Sequence, residues 1–256
     1  MNVIHPGIDS GMFIFLAYFG AFLGLILYLR REDRREGYPL EDDPTGRLEP
    51  TGGFIWTAAP KTFIQPFGWG EKIAPNYGRD NRPLNATRTG VVSGSPIVPN
   101  GNPMLAGVGP GSYAQRANVV DLTAHGKAKI VPMRVATDYA IARQDADPRG
   151  YAVVGTDGAI GGEVVDLWVD RAEAMVRYLE LRLNDGSRTV ILPIVMAKIS
   201  NKRRQVIVDA ITGAQFADVP ALANPEQITF YEEERITAYY GGGFLYATPE
   251  RAEAKI

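Results

Sequence analysis

The chain contains no cysteine and only two histidines, His5 and His125, in 256 residues. Without cysteine there is no disulfide, thiolate nucleophile or thiolate metal site, a usage that suits a body in the cytoplasm. Two isolated histidines exclude an HExxH motif and a His-pair metal centre, and a serine triad would have to use His125. GxGxxG, GxxxxGK[ST] and GxSxG are also missing. The run Gly107-Val108-Gly109-Pro110-Gly111 is not set between a strand and a helix, so it matches no phosphate loop. A net charge of -2 gives no basic excess, which excludes nucleic acid as an expected partner. No catalytic constellation remains.

What is present begins with the uncharged run MFIFLAYFGAFLGLILYL, Met12 to Leu29. At about 1.5 Å per residue it covers roughly 27 Å, close to the hydrocarbon thickness of a bilayer. A buried helix of a soluble domain is the competing reading, but such a helix rarely lacks a polar face over five turns. Asp9 precedes the run and arginines follow it, the reverse of a cleavable signal. Arg30, Arg31, Arg34 and Arg35 stand at its C-terminal end, with no arginine or lysine before it. The positive-inside rule therefore expects residues 1–11 outside, 12–29 across the membrane and 30–256 in the cytoplasm. The four arginines are also candidates for binding acidic lipid headgroups. Gly20 and Gly24, four apart, permit close approach of a neighbouring helix.

Eleven prolines lie between Pro39 and Pro110, interleaved with glycines. Regular helices or central strands can hardly form there. Yet Phe54, Ile55, Trp56, Phe63, Ile64, Phe67 and Trp69 are residues that disordered tracts lack. This predicts an extended segment, residues 30–130, ordered by lying on a surface of the chain itself or of another protein. A flexible tether is the alternative, and it fits Glu41 to Gly53 best.

From about residue 131 short strands take over, and 45% hydrophobic content supports a real core. In Glu163 to Asp170, Val165, Leu167 and Val169 alternate with Asp166, Trp168 and Asp170, which predicts a half-buried strand with one polar face. Leu179, Leu181 and Leu183, the turn residues Asn184-Asp185-Gly186-Ser187 and Arg188 to Leu192 predict a hairpin. Further strands are expected at Ala152 to Gly162 and Lys202 to Val208. Asn224 and Pro225 predict the start of a helix that runs to Tyr240 and stops at Gly241-Gly242-Gly243. The expected fold is a single N-terminal transmembrane helix plus a mainly β cytoplasmic domain, a small antiparallel barrel, with a C-terminal helix.

The most suggestive chemical cluster is Asp166, Asp170 and Glu173, with Arg171 and Arg177 nearby. Asp166 and Asp170 share a strand face about 13 Å apart at 3.3 Å per residue, too far for a directly bonded acid/base pair. That spacing suits a water-linked proton path. Carboxylates on a solvated strand face and turn are the competing reading.

The block LYLRREDRREGYPLE at Leu27 to Glu41 resembles the membrane exit of the H subunit of the photosynthetic reaction centre of purple bacteria. PKTF at Pro60, GNPMLAGVGPGSY at Gly101, KIVPM at Lys129, VVDLWVDRAE at Val164 and AYYGGGFLYATPERAE at Ala238 are similar to that family in the same order. The resemblance covers nearly the whole chain. It implies a span packed beside the helices of the L and M subunits, a Gly/Pro-rich segment laid along their cytoplasmic face, and a PRC-barrel domain. It implies further that the chain holds no pigment or redox centre itself, while the complex holds bacteriochlorophyll, bacteriopheophytin, quinones, non-haem iron and carotenoid. Such a subunit covers the quinone-iron region and helps protons reach the secondary quinone. Partners implied beyond L and M are a cytochrome subunit, a light-harvesting 1 ring and membrane lipids.

By residue, the resemblance gives Glu173 and Asp170 a role in proton relay, with Arg177, Lys129 and Asp166 as electrostatic support; a surface ion pair is the competing reading for Arg177 and Lys129. Tyr38 is implied to anchor the turn below the membrane. Where some family members carry two histidines one residue apart at the point of proton uptake, this chain has His125-Gly126-Lys127. A lysine stays charged at neutral pH and shuttles protons poorly, so His125 stands alone as the uptake candidate. Two rival classes are a bitopic PRC-barrel adaptor or assembly factor, which predicts purification without pigments, and a membrane-tethered enzyme.

Overall fold

The structure, a computed structural model, describes residues 7, 9–42, 45, 47–48, 58–76, 82–92 and 94–252. His5 and the apolar trio Phe54, Ile55 and Trp56 lie outside the described residues, as does most of the tether expected at Glu41 to Gly53. The chain forms two compact units, Met1–Arg82 with Val91–Ser95 and Pro83–Gly90 with Pro96–Ile256. The stretch from residue 96 to 129 thus groups with the β domain.

In the first unit α1, Ser10–Glu32, is one helix of 23 residues. Asp9 caps it, its carboxylate accepting from the Met12 N–H at 2.7 Å. None of its residues is buried, so the apolar run finds no cover within the chain, as a helix solvated by lipid would. A 3-10 turn, Asp33–Arg35, follows. Then β1, Lys61–Ile64, and β2, Glu71–Ala74, pair antiparallel. In the second unit another short pair, β3 (Ala86–Arg88) with β4 (Ile97–Pro99), precedes the main sheet. Among the described residues, regular structure between 37 and 112 is confined to these two hairpins and short turns, in keeping with the proline spacing.

The main sheet contains β5 (Ile130–Pro132), β6 (Ala152–Val154), β7 (Ile160–Asp170), β8 (Met175–Leu183), β9 (Thr189–Pro193), β10 (Lys198–Ser200) and β11 (Gln205–Ile207). The order is β10-β11-β6-β7-β8-β9, with β5 beside β6 on the same edge of β7. All pairs are antiparallel except β6 with β11. The β8–β9 hairpin turns at Asn184 to Ser187 as expected: Gly186 adopts φ 68° and Asp185 accepts from the Ser187 N–H at 2.9 Å. The core gathers Leu167, Trp168, Leu179, Leu181, Leu192, Phe216, Ile236 and Tyr240, all essentially inaccessible.

The structure corrects two expectations. The polar face predicted for β7 is buried: Trp168 is 0% exposed, Asp170 1% and Asp166 7%. β7 is paired on both edges, and bulges at Val164/Asp166 and Trp168/Val169 break the period of two. The solvated reading fails for Asp166 and Asp170, while Glu173 on the turn keeps half its side chain in solvent. The C-terminal helix, α2, runs Phe230–Tyr246, starting later and ending later than predicted. Asn224 caps only a turn, accepting from the Glu226 N–H. The helix cap is Thr229, in a reciprocal capping box with Glu232, which satisfies two otherwise orphaned donors. Gly241, Gly242 and Gly243 continue the helix because packing needs their smallness. A Cβ on Gly243 would lie 2.3 Å from the Ala210 carbonyl oxygen, and one on Gly242 would lie 3.2 Å from Gly111 Cα.

Candidate functional site

The β7–β8 turn carries the site. Asp170 ends β7, and its Oδ1 accepts from the N–H groups of Ala172 (2.9 Å) and Glu173 (3.1 Å). A short side chain with two acceptor oxygens is what folds a tight turn onto itself; here it also supports Ala174 in the left-handed region at φ 50°. The other oxygen, Oδ2, faces two cations, Arg177 Nε at 3.3 Å and Lys129 Nζ at 3.6 Å. A buried carboxylate needs such pairing and hydrogen bonding together. Arg177, on β8, reaches back with Nη2 to Glu173 Oε2 at 2.7 Å. Glu173 keeps half its side chain in solvent. It is thus the accessible end of a network whose other end is closed.

Lys129 is fixed by its own backbone, which donates to Asp121 O and accepts from the Arg171 N–H. Its ammonium also lies 3.4 Å from Asp121 Oδ2. Burial pulls the Lys129 ammonium down, but Asp170 and Asp121 outweigh it and hold its pKa above the ordinary value. Lys129 is therefore a fixed charge rather than a proton donor at neutral pH. The arm leading to it ends at a turn in which Thr123 N donates to Lys127 O at 2.8 Å and Gly126 adopts φ 72°. His125 and Lys127 are exposed at the tip of that arm, with Asp121 and Lys129 at its base. Three residues lie between His125 and Lys129, so a proton path between them needs water.

Asp166 is not part of this network. It accepts from Arg134 Nη1 at 3.0 Å, and the same nitrogen donates to Glu180 Oε2 at 2.5 Å. Trp168 Nε1 donates to Glu180 at 3.0 Å. Asp166 and Glu180 are cross-strand partners, so one guanidinium bridges two buried carboxylates. Sequence reasoning missed Arg134 and Glu180, and also Glu233 on α2. Glu233 accepts from the Tyr178 hydroxyl at 2.5 Å. Burial pushes the Glu233 carboxyl above its ordinary value, more than Tyr178 and Arg116 draw it down. Burial and Glu233 together push the Tyr178 hydroxyl far up. Asp121 and Arg177 also act on Glu233, so it shares both with the field around Asp170.

At the membrane exit the four arginines divide. Arg30 is exposed and Arg31 partly so. Arg34 is 6% exposed, with its guanidinium 4.8 Å from the Tyr38 ring centre. Arg35 grips Glu32 through two hydrogen bonds and donates to the carbonyls of Ala59 and Ala74. Arg34 and Arg35 thus hold the fold together, and of the four only Arg30 is fully exposed. Among the described residues no group of three or more His, Asp or Glu side chains is placed to hold a metal ion.

Residues 2–135 match the protein family described as the photosynthetic reaction centre H-chain N-terminal region, and residues 141–215 match the PRC-barrel domain.

Proposed function

The chain belongs to the photosynthetic reaction centre H-chain family, whose members are subunits of a light-driven pigment and quinone complex, and from that premise we propose that it assists proton delivery to the secondary quinone. α1 anchors it in the membrane, residues 30 onward lie on the cytoplasmic side, and the body stabilises the L and M subunits and caps their quinone-iron region. Reducing a quinone to quinol takes up two protons, and protons do not cross a dry protein without titratable groups and water. The observation that supports the relay is the Glu173 carboxyl, half in solvent, joined through Arg177 to the fully buried Asp170 and backed by Lys129.

In this reading Glu173 exchanges the proton while Asp170, Arg177 and Lys129 fix its position and field; none makes or breaks a covalent bond of the quinone ring. Glu173→Gln in the assembled complex should slow the proton-coupled second electron transfer after a double flash while leaving primary charge separation intact. Unchanged second-transfer kinetics would remove Glu173 from the relay. The assembly itself is tested by the absorption spectrum of the gently purified native protein. Near-infrared bacteriochlorophyll bands that bleach reversibly support it, and a colourless single-span protein would leave the adaptor reading.

A further inference from the structure

The β1–β2 hairpin is too short to be stable alone, yet four of its apolar side chains are exposed. Ile64 is 83% exposed, Ile73 52%, Phe67 49% and Phe63 44%. The register pairs Thr62 with Ile73 and Ile64 with Glu71, which sets these four residues on one face and Lys61, Phe63, Lys72 and Ala74 on the other. The second face carries the attachments. Lys61 Nζ lies 3.2 Å from Glu32 Oε2 and Lys72 Nζ 3.1 Å from Glu36 Oε1, while Arg35 donates to the carbonyls of Ala59 and Ala74 at the open end. At the closed end the Phe67 and Trp69 rings pack 5.7 Å apart. There Phe67 is held at φ 56°, followed by Gly68 at 74° and Gly70 at 91°; Phe67 is exposed at the tip and Trp69 half-buried beside it.

The attachments fix the depth of the hairpin. Glu32 lies three residues past Leu29, about 4.5 Å along the helix axis, within the roughly 5–7 Å of headgroup layer on each side of the hydrocarbon. Aromatic rings next to lysines are the composition that partitions to that layer. We propose that the hairpin is a lipid-binding element that lies in the membrane plane, with Ile64, Phe67, Trp69 and Ile73 at the headgroup–acyl boundary of phospholipids. It adds a second attachment beside the span, and it rests on α1 crossing the bilayer.

The absence of cysteine makes the test direct. Spin labels are placed at Phe67→Cys and Ile73→Cys, at Leu16→Cys and Tyr18→Cys on opposite faces of α1, and at His125→Cys as a solvated reference. The whole complex is reconstituted in nanodiscs of phosphatidylcholine and phosphatidylglycerol, and collisions with oxygen and with a nickel chelate are measured. Labels at 67 and 73 should show a nickel-to-oxygen ratio about threefold or more below that at 125, as for an interfacial element. Labels as open to nickel as position 125 would show a solvated hairpin, and labels reached by neither reagent would show cover by another protein subunit; either overturns the proposal. If neither 16 nor 18 is oxygen-rich, the failure lies in the span, which positions 67 and 73 alone would not reveal.

Discussion

Replacing Arg134 with methionine tests the buried charge triad. Arg134 Nη1 is bonded to both Asp166 and Glu180, so the two carboxylate oxygens lie no farther apart than those two bonds laid end to end. Without the guanidinium, two negative charges at that separation repel by about 3 kcal/mol or more at an effective dielectric near 20. This agrees with the roughly 3–5 kcal/mol lost when one partner of a buried ion pair is removed. With a urea m-value of about 2 kcal/mol/M, the unfolding midpoint at pH 8 should fall by about 1.5 M or more. The assay is urea unfolding of the full chain in detergent micelles, followed by Trp168 emission with Trp56→Phe and Trp69→Phe in the background. Adding Asp166→Asn and Glu180→Gln should restore much of the loss at pH 8. A deficit below about 1 kcal/mol, or no recovery on adding the two amides, would refute the shared-cation account.

Gly243→Ala sets helix propensity against packing. Alanine favours an exposed helix by about 1 kcal/mol, but its Cβ would meet the Ala210 carbonyl at 2.3 Å and the Ile211 side chain at 2.6 Å. Overpacking should win by about 2 kcal/mol, lowering the melting temperature by roughly 4–8 °C; a rise in melting temperature would mean that the close approach is not as described. For Glu233, burial raises the folded-state pKa above the ordinary 4.5, so the folded chain binds more protons between those values. Its contribution to stability is full below 4.5 and is lost as pH rises through the raised value. Glu233→Gln should flatten this part of the stability–pH curve, and identical slopes in variant and wild type, compared by urea unfolding, would disprove it.

How legible this was in the sequence depends on the range of each interaction. The span and the β8–β9 hairpin are local in sequence or composition, and both were readable. The closure of Arg134 onto Asp166 and Glu180 joins residues 32 and 46 positions apart, and no spacing rule reaches that far. Glu180 alternates with Leu179 and Leu181 along the strand, yet the sheet buries it as well. Glu233 was in principle recoverable. The capping box Thr229-Phe230-Tyr231-Glu232 sets the phase of α2, but Asn224-Pro225 offered an earlier start that the chain uses only for a turn. The three glycines were misread because a helix stop and a close helix contact ask for the same residue.

The glycine face of α2 also bears on how the chain is made. Gly242 sits against Met104 and Gly111, and Thr229 bridges to Val120. The ribosome delivers the 104–120 stretch long before the helix that receives it. At about 5–20 residues per second the wait is on the order of ten seconds, with Met104 and its neighbours undocked throughout. Completion of this part of the domain is therefore tied to the synthesis of α2, which orders a segment already waiting outside the ribosome.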